Sequence, residues 1–360
     1  MHAVVVSAFG GPEVLTEAEL PDPEPGPGQI TIDTSHAAVG LIDVLLRRGD
    51  MAKRPGLPQP PFVPGLEVAG TVRQLGNGVE GFHVGEPVVT VSQMALGGYA
   101  SVTVAEASMV VSLSDSDVNP ALAVAALPNA TTAYLALTRV AHLQQGESVL
   151  VHGAAGGLAA AFPAVARSLG ASRIVGTVSS RNRIKDTVHL GYDEVLTSDQ
   201  FVDALADQPV DVVVDPVGGD IRTATLDVLA PLGRILLLGH AAHSPDTPVT
   251  GDQLWLKNAG LLGFSVGPYL LANPASARPA AEQVMPLLGS GHLTLQIDEL
   301  SLTQAADAHQ RLEAHPGPPR AHCLIRRVPS CQSPAARRHE RVDRARRRRS
   351  RRASGRSAKR

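Results

Sequence analysis

The sequence predicts an α/β protein in which a doubly wound parallel sheet interrupts a β-rich domain, and three observations carry that prediction. Apolar runs at 149–151, 174–175, 194–196, 210–215 and 234–239 alternate with segments of helical character, as parallel strands covered on both faces require. The first run enters a turn containing Gly153, Gly156 and Gly157, after which small residues continue helically until Gly170. The flanks at 1–122 and 271–325 are β-rich or mixed, so the parallel domain at 123–270 reads as an insertion into one domain built from both flanks.

The β-rich part is delimited by its turns. Strands are expected at 3–6 and 29–34, separated by a proline-rich stretch at 21–28 that has no helical option. Further strands fall at 70–72, 87–91 and 99–104, parted by Gly-Asn-Gly and Gly-Gly turns. An alanine-rich helix at 119–140 leads into the parallel domain. A helix at 302–313 and a strand at 322–325 follow it, and the apolar run at 260–266 fits an edge or an internal strand.

With 360 residues, 44% of them hydrophobic, the chain can build two cores, and aromatics at 3% leave Val, Leu and Ala to fill them. No apolar run is expected to approach the roughly 20 residues of a membrane span, and the N-terminus enters a strand without a basic leader. A soluble cytoplasmic protein is the expectation. Two cysteines, Cys323 and Cys331, support neither a disulfide framework nor a cysteine-rich zinc site.

The net charge of −2 averages two unlike pieces. From Arg326 onward lie 15 of the 32 basic residues and 2 of the 34 acidic ones, leaving 17 basic against 32 acidic residues before it. The body therefore lacks the composition of a nucleic-acid binder. The segment 326–360 has too few apolar residues to fold, and its arginine run suits nucleic acid or an anionic surface. The favoured reading is a non-functional extension, of the kind a GC-rich gene yields out of frame.

The glycine turn carries the chemistry. A dinucleotide pyrophosphate rests against backbone N–H groups where a strand turns into a helix, and side chains there would block its approach. At the end of the next strand an NAD site places Asp or Glu on the ribose hydroxyl. This chain instead offers Ser179, Ser180, Arg181, Arg183 and Lys185, hydroxyls and cations that suit a 2′-phosphate, so NADPH is the expected cofactor. Asp215-Pro-Val-Gly-Gly219 and the turn at Gly239 and His240 also stand at carboxyl ends of apolar runs, where open α/β sheets bind ligands.

Six segments in order extend this reading: Pro61 to Gly70, Leu75 to Gly85, Gly97 to Ala100, Asn129 to Tyr134, Val151 to Gly157, and Asp215 to Gly219. Through them the chain resembles the zinc-independent quinone oxidoreductase branch of the medium-chain dehydrogenase/reductase superfamily. The resemblance implies a Rossmann domain inserted into a groES-like domain, and a homodimer joined through the cofactor domains. It implies hydride transfer from NADPH to a quinone or an α,β-unsaturated carbonyl, a small-molecule acceptor, with no metal. It also assigns residues: Asn129 and Thr132 at the nicotinamide, Gly153, Ala155, Gly156 and Gly157 at the pyrophosphate, Ser179, Ser180, Arg181 and Lys185 near the 2′-phosphate. Gly239 belongs to the same cofactor set, and Asp43 and Arg47 match the family's cleft segment as candidate catalytic residues or as a salt bridge that orders it.

Departures from the family pattern are equally specific. Gly40 and Leu66 stand where zinc-dependent relatives carry Cys and His, leaving Glu67 alone of the usual ligand neighbourhood. Gly40 and Leu45 replace the family's cleft Asn and Tyr, so the cleft is expected to be apolar and to lack an evident proton donor. Ala159 replaces the third glycine, and Pro163 is expected inside the following helix at a cost of about 3 kcal/mol unless the helix kinks. These changes motivate two other readings: an enoyl reductase acting on polyketide or acyl thioester intermediates, and a non-catalytic homologue with a degraded cofactor site.

Overall fold

A computed structural model describes residues 1–54, 56–92, 96–242, 248–314 and 321–325; the expectations for 326–360, Cys331 included, lie outside the described residues. The first sheet is assembled from both ends of the chain. Strands β1 (His2–Val6) and β2 (Leu15–Glu19) form an antiparallel pair beside it. Then come β3 (Gln29–Val39), helix α1 (Leu41–Arg48), β4 (Val68–Leu75), β5 (Pro87–Thr90), β6 (Val102–Glu106) and β7 (Val110–Ser112). Helix α1 occupies a segment to which sequence alone assigned no element: the Asp43 carboxylate accepts from the Gly40 N–H at its start, and Gly49, at φ 81°, ends it.

Helix α2 (Pro120–Leu135) connects the two sheets. The Asn119 side chain caps it by accepting from Ala121 N–H at 2.8 Å, and Pro120 sits at its first turn, where a missing N–H costs nothing. A π-helical turn, Ala136–Val140, continues it, so that Pro120–Val140 is a 21-residue apolar helix long enough to cross a membrane. That corrects the expectation that no such run exists. The helix is a core element, with 72% of its most apolar window buried inside the protein. Small residues make this possible: Ala123, Ala126, Ala130 and Ala133 share one core with Ala69 of the first sheet and with Phe162, the first residue of the helix that follows β8.

The second sheet has six strands: β8 (Ser148–Val151), β9 (Arg173–Val178), β10 (Glu194–Thr197), β11 (Val210–Asp215), β12 (Leu229–Leu237) and β13 (Gly260–Gly263). They are all parallel, in the order β10-β9-β8-β11-β12-β13. The direction of winding reverses between β8 and β11, the position where such sheets open a crevice for ligands. Helices α3 (Phe162–Ser168), α4 (Phe201–Leu205), α5 (Asp220–Ala224) and α6 (Gly251–Lys257) lie in the crossovers. Val149, Val151, Val212 and Val214 pack on the α2 side, whereas Leu150, Val175 and Val213 pack with Phe201 and Leu205 on the other.

After α7 (Val266–Ala272) and α8 (Ala277–Gly289) the chain rejoins the first sheet through β14 (Ile297–Ser301), α9 (Ala305–Ala314) and β15 (Ala321–Ile325). Strand β15 pairs antiparallel with β3, Cys323 opposite Ala38, so residues nearly 300 positions apart share one ladder. The first sheet runs β14-β15-β3-β4-β5-β7, with β6 also paired to β3.

Candidate cofactor and acceptor site

The turn after β8 is shaped by its glycines. Gly153 holds φ at +65°, a conformation L side chains rarely adopt, and its carbonyl accepts the Gly156 N–H at 2.7 Å. Ala154 N–H donates to Thr177 of β9, tying turn to sheet, while Ala154 and Ala155 bury their methyls against Val178. Gly156 and Gly157 remain exposed, and a Cβ added at Gly157 would meet nothing within 4 Å. The turn is thus closed beneath and open above, which fits a pyrophosphate laid on backbone N–H groups.

Pro163 and Ala159, two departures from the family pattern, are both accommodated by the local fold. A 3₁₀ turn, Ala159–Ala161, precedes α3, so Pro163 is the second residue of the α-helix rather than an interior one, and the expected kink and its cost do not arise. Ala159 is 1% exposed and packs in the main core, with its carbonyl accepting from Tyr192 Oη at 3.0 Å.

Beneath the turn His152 is fully buried, bonded through Nδ1 to Thr177 Oγ1 at 2.8 Å and through Nε2 to Thr225 Oγ1 at 2.7 Å. Burial lowers its pKa to about 4, so it is a neutral crosslink between β9 and the segment after α5. A second polar network knits the neighbouring strand ends. Asp215 Oδ1 accepts the N–H groups of Val217 and Gly218, Oδ2 accepts Arg222 Nε at 2.6 Å, and Arg222 Nη2 donates to the Gly239 carbonyl at 2.9 Å. Asp215 is inaccessible, and the guanidinium compensates its charge. Gly239 cannot carry a side chain here, because a Cβ would lie 2.8 Å from the Pro216 carbonyl oxygen. The loops after β11 and β12 are therefore fixed to each other beside the glycine turn.

At the end of β9, Ser179, Ser180, Arg181 and Lys185 are exposed, the last two one helical turn apart in the 3₁₀ segment Arg181–Thr187. Arg183, expected with them, is instead engaged by the buried carboxylate of Asp186, its Nε donating at 2.7 Å. Asp199 lies close by. A hydrogen bond from Thr197 is the main cause holding it below the usual carboxylate range, and the Arg181 charge adds a smaller pull.

On α2, Thr132 Oγ1 donates to the Pro128 carbonyl at 2.9 Å and Asn129 Nδ2 reaches the Ala125 carbonyl at 3.5 Å, which orients both side chains on one helix. Asp43 and Arg47 do not form the salt bridge considered from sequence. Asp43 spends its oxygens on Gly40 N–H at 2.9 Å and Gly65 N–H at 3.0 Å, while Arg47 makes a bidentate pair with Glu313 of α9. Leu66 joins Leu46 and Leu96, with Ile42, Met51 and Phe62 packed around them, an apolar cluster where a metal-dependent relative would hold its ion.

The donor set does not fit a catalytic zinc ion. Of the neighbouring carboxylates Asp43 is saturated by backbone N–H groups, and burial pushes the Cys323 thiol up to about 12. Among the described residues no three His, Cys, Asp or Glu side chains converge.

A parallel sheet opening at its carboxyl edge onto a glycine turn, joined by α2 to a β-rich partner domain, defines a dinucleotide-dependent oxidoreductase fold. Residues 26–115 match the alcohol dehydrogenase GroES-like domain, and 190–316 match the family described as zinc-binding dehydrogenase. The quinone oxidoreductase of Salmonella typhimurium is 31% identical over 320 residues, covering 85% of this chain and 94% of that one. The mouse synaptic vesicle membrane protein VAT-1 homolog-like is 29% identical over 337 residues, 87% of this chain and 78% of that one. The Escherichia coli quinone oxidoreductase complexed with NADPH superposes with a TM-score of 0.79 at 26% identity, covering 90% of this chain and all of that one. The chain belongs to the quinone oxidoreductase-like family of the medium-chain dehydrogenase/reductase superfamily.

Proposed function

We propose that the protein is an NADPH-dependent reductase that transfers hydride to a quinone or an α,β-unsaturated carbonyl without a metal ion. The observation that carries this is the exposed set Ser179, Ser180, Arg181 and Lys185 at the end of β9, next to a glycine turn open above Gly157. Hydroxyls and cations there bind a 2′-phosphate, which a carboxylate would repel. The E. coli relative's NADPH complex supports the same reading.

The bound cofactor supplies the hydride; the protein supplies position and dryness. Gly153, Ala155, Gly156 and Gly157 hold the pyrophosphate, and Gly239, drawn in by Arg222, closes the neighbouring strand end. Asn129 and Thr132 stand on α2 for the nicotinamide end. The apolar cluster around Leu66 excludes water and gives a flat acceptor a surface without competing ligands.

Purified protein with NADPH is expected to turn over a simple quinone and a simple enone, followed by loss of the nicotinamide absorbance. Consumption of neither acceptor by folded, NADPH-bound protein would contradict the proposal. A homodimer through the second sheet is part of it. β13 terminates that sheet, and the adjacent α6 leaves Trp255 and Leu256 about three-quarters exposed. Sedimentation should give twice the 37.5 kDa chain mass, and Trp255→Asp should shift the mass toward one chain.

A further inference from the structure

A phenol holds the glycine turn from its buried side. Tyr192 stands two residues before β10, and its Oη donates to two carbonyls of the turn, that of Ala159 at 3.0 Å and that of Ala154 at 3.3 Å. Ala154 directly follows Gly153 and is fully buried. Ala159 opens the 3₁₀ turn that leads into α3, and its carbonyl also accepts the Phe162 N–H. One shared proton therefore spans residues 155–158 and ties the glycine side of the turn to the start of α3.

The ring is held as firmly as the hydroxyl. Tyr192 packs on the small cluster of Ala154, Ala155 and Val178, which Ile184 and Val195 also join. Gly176 of β9 leaves room for it: a Cβ there would lie 2.8 Å from the Ala154 Cβ and 3.1 Å from Tyr192 Cδ1. Gly191, at φ +86°, sets the bend that precedes the ring. Burial pushes the phenol above its usual range, so it remains a donor at any working pH.

We propose that Tyr192 is a positioning residue for the nucleotide: by donating to the Ala154 and Ala159 carbonyls it keeps the glycine turn closed beneath, and so holds the exposed backbone of Gly157 in place for a pyrophosphate. The inference rests on the NADPH-binding reading above and adds to it a support that lies outside the glycine motif. A turn that is free to change shape must lose that freedom when a ligand settles on it, and a turn already held in shape loses less. Without the hydroxyl, the Ala154 carbonyl loses this donor in a buried setting, and the span 155–158 gains other conformations.

Tyr192→Phe keeps the ring and its packing and removes the hydroxyl. The dissociation constants of NADPH and NADH are expected to rise by the same factor, about tenfold, the worth of one hydrogen bond with a buried partner. Their ratio should stay as in the wild type, because the pyrophosphate is common to both nucleotides and Arg181 and Lys185 are untouched. The KM for NADPH should rise in step, while quinone turnover at saturating NADPH stays within about twofold of wild type, since the hydroxyl has no part in the transfer itself. A residue serving the fold alone would lower the melting temperature of the nucleotide-free protein and leave both dissociation constants unchanged. Unchanged constants in Y192F, whatever its melting temperature, would overturn the inference and leave the reductase reading standing. A loss confined to NADPH would overturn it as well, because it would place the hydroxyl at the 2′-phosphate. A folded wild type that binds neither nucleotide would overturn both the inference and the reading beneath it.

Discussion

Replacing Gly157 by valine is expected to weaken NADPH binding about 100-fold or more while leaving the protein folded. A Cβ at this position meets no heavy atom within 4 Å, so the folded chain accommodates it. The same open volume is where the pyrophosphate would approach the exposed backbone of Gly157, the Gly156 N–H being already donated to the Gly153 carbonyl. Displacing a charge-assisted hydrogen bond worth up to about 3 kcal/mol gives the expected factor. Fluorescence titration with NADPH alongside a thermal melt separates the outcomes: lost binding with a melting temperature within about 4 °C of wild type supports the placement. Retained binding would move the pyrophosphate elsewhere. Gly153→Val is the informative contrast, because φ of +65° and the Val217 methyl 3.1 Å from the added Cβ predict lost stability as well as lost binding.

The second large effect is a change of cofactor preference. The double variant Arg181→Asp with Lys185→Ala should raise the NADPH dissociation constant about 100-fold, from two phosphate contacts of about 1.5 kcal/mol each, and leave NADH within a few-fold. Both side chains are exposed at the end of β9, so the substitutions bury nothing. Binding measured at two salt concentrations adds a check: the wild-type preference for NADPH should shrink as salt rises, and that of the variant should not. An unchanged preference would place the 2′-phosphate away from this segment.

The parts of the molecule legible in the sequence are those whose physics is local. A strand of Val149, Leu150 and Val151 running into Gly153 announces a turn, since positive φ and close approach are demands a single residue must meet. The hydroxyls and cations after β9 were legible for the same reason. Pro163 was misread because composition does not show where a 3₁₀ turn gives way to an α-helix, and that boundary decides whether its missing N–H matters. Helix α1 was missed because its start and stop depend on Asp43 reaching Gly40 and on Gly49 adopting φ 81°. The partner of Arg47 could not be read at all, since Glu313 is 266 positions away. Arg183 shows the reverse, a cation attractive in sequence that Asp186 removes from the site.

The measurement that tests the account most directly is a paired titration of the purified wild-type protein with NADPH and NADH, each followed by nicotinamide fluorescence. Saturable NADPH binding at least tenfold tighter than NADH binding is the result the geometry of the glycine turn and the end of β9 predicts. Equal affinities, or no binding of either nucleotide by protein shown to be folded, would contradict it.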